Sequence, residues 1–318
     1  MPRQHDRKPA LASDQLKAAM KSKPENRHRW FRNRLIAALF GLGAINSVLP
    51  AHAVVPSVYV PTAEELKGSS IGIGRTAAQL LQMGQAKEAA QLAALAVRLD
   101  PQNEKLWSVL AEAQLRSDQL EAASTSLARA KALNPTKAGL WFAEAAIALR
   151  AEQPNSAIPL IERGLDLDPK NPSAYFDLGN ARIMQGNLSA ALTSFERATA
   201  LKPDFWEALN NQALVLFELG ETKEAIRRWR RVLSLEKNPE PMLALAAALH
   251  DNKTSRDEAF SLAAQALAKE PNYVLEGHQT EQLWGVKIRN ATAMLLAEPE
   301  LKAGVERAQA NATWMKRR

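Results

Sequence analysis

Small and apolar positions recur along this chain in a fixed register. Alanine stands at Ala89, Ala123, Ala157, Ala191, Ala225 and Ala259, each 34 residues after the one before. Alanine fills 57 of the 318 positions, so six consecutive matches would arise by chance with a probability on the order of 10⁻⁵. Prolines share the period at Pro101, Pro135, Pro169 and Pro203; the next slips to Pro239, and Pro271 returns to the register. Large residues, Trp107, Trp141, Tyr175 and Leu209, open successive units. A period of this length predicts pairs of antiparallel helices of about 13 residues each, with alanine or glycine where the backbones approach, as at Ala89 and Ala96. Gly84, Gly186 and Gly220 suit the turn inside each pair, and proline after the second helix stops it because the ring denies a backbone donor. Leu99, Leu133, Leu167, Leu201 and Leu235, just before that stop, are expected to bury against the next pair.

The chain therefore reads as all-α, with six units at 70–103, 104–137, 138–171, 172–205, 206–239 and 240–273. Several positions depart from the pattern. Asp118, Glu152 and Thr254 replace the turn glycine, Gln212 replaces a first-helix leucine, and Lys237 takes a proline position. Residues 54–69, with Pro56, Pro61 and the Gly68-Ser69-Ser70 step, read as a linker. Residues 274–318 read as capping helices: Leu283, Val286, Ala293 and Leu296 fall on a helical period that Pro299 ends, the polar-faced terminus that a stacked array requires.

Residues 172–203, with Tyr175, Leu178, Gly179, Gly186, Ala191, Phe195, Ala198 and Pro203, resemble the tetratricopeptide-repeat pattern W-x-x-L-G-x-x-Y, A-x-x-x-F, P. The resemblance implies a right-handed solenoid whose first helices line a concave groove that binds other proteins. Its groove positions correspond to Lys105, Glu112 and Arg116 in unit two, Phe142 and Arg150 in unit three, and Phe176, Asn180 and Met184 in unit four. Unit five adds Asn210, Leu214 and Phe217. Family members that clamp a chaperone's carboxylate tail carry five Lys, Asn and Arg positions. Asn180 and Asn211 match two of them, but Phe176 stands where the first lysine is needed and Pro241 and Leu245 replace the last two cations. A C-terminal carboxylate would lack its charge partners here. The expected client is instead an extended peptide or amphipathic helix that inserts apolar side chains near Phe142, Phe176 and Phe217. Replacing Asn180 and Asn210 by alanine is expected to weaken its capture and leave helicity intact.

Charge changes the picture only at the N-terminus. The net charge is +7, and residues 1–34 hold ten Lys/Arg against three Asp/Glu, so the remainder is neutral and has no global field for a polyanion. From Leu35 to Ala63 there is no Lys, Arg, Asp or Glu. A basic stretch, the apolar run LIAALFGLGAINSVL and the triplet Ala51, His52, Ala53 make residues 1–53 a signal peptide cleaved after Ala53, or a membrane anchor if cleavage fails. The first reading places the repeats outside the cytoplasm, in a periplasm or thylakoid lumen; the alternative is an adaptor on the cytoplasmic face of a membrane. The N-terminal arrangement, the six units and Gln282-Leu283-Trp284-Gly285 are similar to cyanobacterial thylakoid repeat proteins, including those that interact with protochlorophyllide reductase.

Other constellations reduce to structure. Arg227, Arg228, Arg230 and Arg231 flank Trp229, a second-helix core position, and read as a solvated face paired with glutamates such as Glu221 and Glu224 rather than a nucleic-acid patch. Gly72 and Gly74 lack the strand and the G-K-[ST] of a phosphate loop. His250 and His278 have no metal-ligand spacing, and cysteine is absent. No catalytic residues, cofactor, metal or nucleic-acid partner are read from this chain, and the expectation is a non-enzymatic interaction scaffold.

Overall fold

The fold is seen in a computed structural model, which describes residues 61–313. The expectations for the basic tail, for cleavage at Ala51 and Ala53 and for residues 54–60 lie outside the described residues. Among those described, all regular structure is helical. Six pairs follow one another: α1 (Ala63–Gln82) with α2 (Ala86–Leu99), α3 (Glu104–Arg116) with α4 (Leu120–Leu133), α5 (Ala138–Arg150) with α6 (Pro154–Leu167), α7 (Pro172–Met184) with α8 (Leu188–Leu201), α9 (Trp206–Glu218) with α10 (Thr222–Leu235), and α11 (Pro239–Asp251) with α12 (Arg256–Lys269). Each second helix packs on the first helix of the next unit. Successive first helices also meet, α1 with α3, α5 with α7 and α9 with α11, whereas successive second helices stay further apart. The first helices therefore line the inside of the curve.

The register residues act as the spacing demands. All six register alanines have 0% exposure, so nothing larger fits where the paired helices cross. The large first-helix residues and the prolines are one device. The Trp107 and Trp141 indoles donate to the carbonyls of Pro101 and Pro135, both at 2.9 Å, and the Tyr175 hydroxyl donates to that of Pro169 at 3.4 Å. Each such bond fixes the entry of a first helix against the stop that precedes it. Gly179 and Gly164 are close-approach positions: a Cβ at Gly179 would lie 2.6 Å from Cδ1 and Cζ of Phe195, and one at Gly164 would lie 2.6 Å from Cδ1 of Phe142. Gln212, in a leucine position, is fully buried and donates to the Phe195 carbonyl at 2.9 Å and to Thr199 Oγ1 at 2.8 Å.

Five expectations are corrected. The linker ends earlier than residue 69, because α1 begins at Ala63: Thr62 Oγ1 accepts from the Glu65 amide at 3.2 Å while Glu65 Oε2 accepts from the Thr62 amide at 2.8 Å, a reciprocal cap. Pro239 is not a slipped stop. It is the first residue of α11, as Pro172 is of α7, a position where the missing donor costs nothing. The junction before α11 is one residue short and the turn after it one residue long, so the sixth turn has left-handed residues at Lys253 (φ 53°) and Ser255 (φ 48°) rather than at Thr254. The pre-stop leucines are half-buried, and Leu235 is 46% exposed, since neighbouring units do not close over the ends of the second helices. The helix expected across Gln279–Leu296 is two: α13 (Glu276–Glu281) and α14 (Val286–Leu296), parted by Leu283 at φ 63°. Val286 and Ala293 consequently face solvent, and Ile288, Ala291, Thr292 and Leu295 form the buried stripe. A last helix, α15 (Lys302–Asn311), packs on α12 as a terminal cap.

Candidate functional site

The inner face is built from the first helices, and each unit contributes the same helical positions. In unit two, Lys105 is exposed, and Arg116 binds Glu112 at 2.6 Å. Arg116 also donates to the Leu81 carbonyl at 3.3 Å, and Arg150, 34 residues on, donates to the Leu115 carbonyl at 3.4 Å and to Asp118 at 3.3 Å. Each guanidinium thus sits at the carboxyl end of the preceding first helix, where orphan carbonyls and the negative end of the dipole favour a cation. The two arginines clamp neighbouring units together and present only part of their surface inward.

Met184 is half-buried at the inner face. The three expected phenylalanines do not line an open groove. Phe142 packs on Gly164 of its own second helix, and Phe176 packs between Phe195 and Phe205 with ring centres 5.7 and 5.2 Å away. Phe217 has 0% exposure and lies 6.0 Å from Trp229. At the narrow inside of the curve, a side chain this large reaches its own pair's second helix before it reaches solvent.

The asparagines are buried too. Asn180 Oδ1 accepts from Asn211 Nδ2 at 2.9 Å. Asn210 Oδ1 accepts from the Trp229 indole at 3.0 Å, and its Nδ2 donates to Glu240 Oε1 at 3.1 Å. Asn210 is therefore a strut of the fifth unit's core. Pro241 and Leu245, which stand where a carboxylate clamp needs cations, are buried in α11, in keeping with the absence of such a clamp.

Leu214 and Phe217 are covered by an element that the repeat pattern does not contain. α14 lies across α9 and α11 on the inner face of units five and six. Glu218 fixes its start: its two carboxylate oxygens accept from the amides of Lys287 at 3.1 Å and Ile288 at 2.8 Å, and Lys287 Nζ sits 4.9 Å above the Phe217 ring. A Cβ at Gly285 would lie 2.6 Å from Glu218 Cγ, so glycine is needed where α14 enters. Trp284 donates to Glu240 Oε1 at 3.1 Å. Glu240 is partly exposed as a residue, but its carboxylate is enclosed. Burial pushes its pKa above the ordinary value, against hydrogen bonds from Trp284, Asn210 and Tyr273 and in the same direction as the nearby Glu207 charge. Sequence reasoning missed Glu218 and Glu240. Glu218 continues the series Arg116, Arg150, Met184 at 34-residue intervals, a signal that marks it as an inner-face position but not as a cap.

The arginines around Trp229 are all engaged: Arg227 and Arg228 with Glu224, Arg230 with Glu258 at 2.9 Å, and Arg231 with the Pro203 carbonyl at 3.3 Å. Among the described residues no group of three or more His, Cys, Asp or Glu could hold a metal ion, and no helix is long and apolar enough to cross a membrane.

Stacked helix pairs with a continuous inner face of first helices define a helical-repeat solenoid, a class whose members present an extended surface to other proteins. A tetratricopeptide-repeat family model matches residues 80–146 and 148–211, and the helix pairs outside that stretch repeat the same architecture. Such repeats generally mediate protein–protein interaction. The chain is 45% identical over 58 residues to the TPR repeat-containing protein MJ0941 of Methanocaldococcus jannaschii; it spans 18% of its own length and 17% of that relative's. Among solved structures it is similar to PilF of Pseudomonas aeruginosa, with 18% identity and a TM-score of 0.58 over 69% of this chain and 98% of that one. It is also similar to MamA of Desulfovibrio magneticus RS-1, from residue 41 to its end, with 18% identity and a TM-score of 0.51 over 55% and 97%. At these identities the likeness is one of fold.

Proposed function

We propose that the chain is a scaffold that binds a client protein segment on the first helices of units two to four. The observation that carries this reading is the contrast along the inner face. In units five and six α14 covers it, whereas Lys105, Glu112, Arg116 and Met184 remain wholly or partly exposed on α3 and α7. These residues interleave charge with one flexible apolar side chain, which suits an amphipathic helix or extended peptide with its apolar side toward Met184. A photo-reactive amino acid at Met184 is expected to crosslink the client, and the same group at Thr193, exposed on α8 away from the inner face, is not. Equal crosslinking from both positions would remove the inner face from the account.

The setting we propose is a membrane-associated complex that the scaffold helps to assemble, on the exported or anchored side of a membrane. It is supported by the basic and apolar N-terminal pattern with Ala51 and Ala53, and by the resemblance to thylakoid repeat proteins. The alternative is an uncleaved anchor with the repeats facing the cytosol. N-terminal sequencing of the purified protein separates them: a start at Val54 supports export with cleavage, and an intact N-terminus supports the anchor.

A further inference from the structure

α14 does not continue the solenoid. A seventh first helix would pack on α12 as α11 packs on α10; α14 lies instead on α11 and α9, on the client-facing side. Its buried residues, Ile288, Ala291, Thr292 and Leu295, follow the i, i+3, i+4, i+7 spacing by which an amphipathic helix inserts into a groove. Its opposite side is exposed, with Val286 at 62% and Met294 at 53%. α14 is thus bound as a ligand helix would be.

Besides that buried stripe, its polar attachments to the repeats lie at its two ends. Glu218 and the Trp284–Glu240 bond hold the start. At the finish, Glu298 contacts His250 Nε2 at 2.8 Å and Arg256 at 3.0 Å, and Arg256 also reaches Glu300 at 2.9 Å. Arg289 of α14 binds Glu276 at 2.6 Å and Thr280 at 3.1 Å, both of α13, and the flanks also have anchors of their own. Gln279 of α13 donates to the Tyr273 carbonyl at 2.7 Å, and beyond α15 the Thr313 amide donates to Asn272 Oδ1 at 2.8 Å. The chain breaks direction at Leu283 before α14 and at Pro299 after it. The geometry therefore allows α14 to leave the face while α13 and α15 stay in place.

We propose that α14 is an autoinhibitory strap. It occupies the inner face of units five and six, and a client helix with the same spacing of small and branched apolar residues, and an N-terminal turn that Glu218 can cap, displaces it. The inference rests on the reading of the inner face as the client-docking surface. It also names the chemistry of the client for units five and six.

The test uses the full-length chain and a labelled peptide with the sequence of residues 284–298. In the double variant Ile288→Asp/Leu295→Asp, two carboxylates at the interface undock the tethered copy. A short tether acts at an effective concentration on the order of 1 mM, so against a peptide dissociation constant of about 10 μM the wild type is expected to bind about 100-fold more weakly than the variant. Equal binding by both proteins, or no binding by a variant that keeps amide protection in α9 to α12, overturns the proposal. So does loss of that protection in the variant, because α14 is then inseparable from the core. A second measurement needs no substitution: in the wild type, amides of α14 are expected to exchange through an opening that leaves α11 protected, and exchange of both helices together overturns the strap. The probe is the chain's own segment, so these outcomes are independent of whether a client crosslinks at Met184.

Discussion

Gly179→Ala should destabilise the protein even though alanine is the better helix former. Gly179 lies in the middle of α7, where the substitution would by propensity alone stabilise by about 1 kcal/mol. The new methyl, however, would stand 2.6 Å from two ring carbons of Phe195, well inside van der Waals contact. That ring has 0% exposure and is backed by Phe176 at 5.7 Å, so it has no free volume to enter. Overpacking of a closed site costs about 1–3 kcal/mol, and the enclosed ring places this one at the upper end, for a net loss of about 1–2 kcal/mol. Phe195→Leu alone should cost about 1–2 kcal/mol through the space left behind. In the double variant the methyl enters that space, so the combined loss should fall below the sum by at least about 1 kcal/mol. Urea unfolding followed by circular dichroism gives all four stabilities. A stabilising Gly179→Ala, or strict additivity, would refute the argument that backbone approach fixes this glycine.

Three further outcomes follow from other features. Glu152 holds a left-handed backbone at φ 55° in the third turn, and Glu152→Gly should raise stability by about 1 kcal/mol, read as a higher melting temperature, whereas Gly186→Ala should lower it comparably. Asn210→Ala leaves the buried Trp229 indole and the Glu240 carboxylate each short of a partner and should cost about 1–3 kcal/mol by urea unfolding; a neutral result would show that water replaces the amide. Because Glu240 is raised above 4.5 in the folded state, its protonated form favours folding, and stability falls as pH rises from 4.5 through the raised value. Glu240→Gln keeps an acceptor for Asn210 and Trp284, should remove that part of the pH dependence in a series of urea titrations, and should be more stable than wild type above the raised value.

The architecture was legible because one spacing carries it. The 34-residue register of alanines reports helix crossings directly, since a position where two backbones approach admits only a small side chain, and all six proved buried. The inner face was less legible. Family positions locate a residue on the helix, but curvature decides whether it reaches solvent: Phe142 and Phe176 are turned into their own pairs, and Asn210 is committed to Trp229 and Glu240. Pro239 was misread because a proline that starts a helix and one that stops the previous helix stand only a few residues apart. α14 was hidden for a different reason. Its docking depends on Glu218, 68 residues before Val286, and nothing in a local pattern links a groove-position glutamate to a helix start so far along the chain.

The account's central claim is that the open first helices of units two to four hold the client. Hydrogen exchange of the full-length chain, with and without the client recovered by crosslinking, tests it most directly. New protection in α3, α5 and α7, with α4, α6 and α8 unchanged, is the predicted result. Protection confined to the second helices, or to the surface around Trp229, would contradict it.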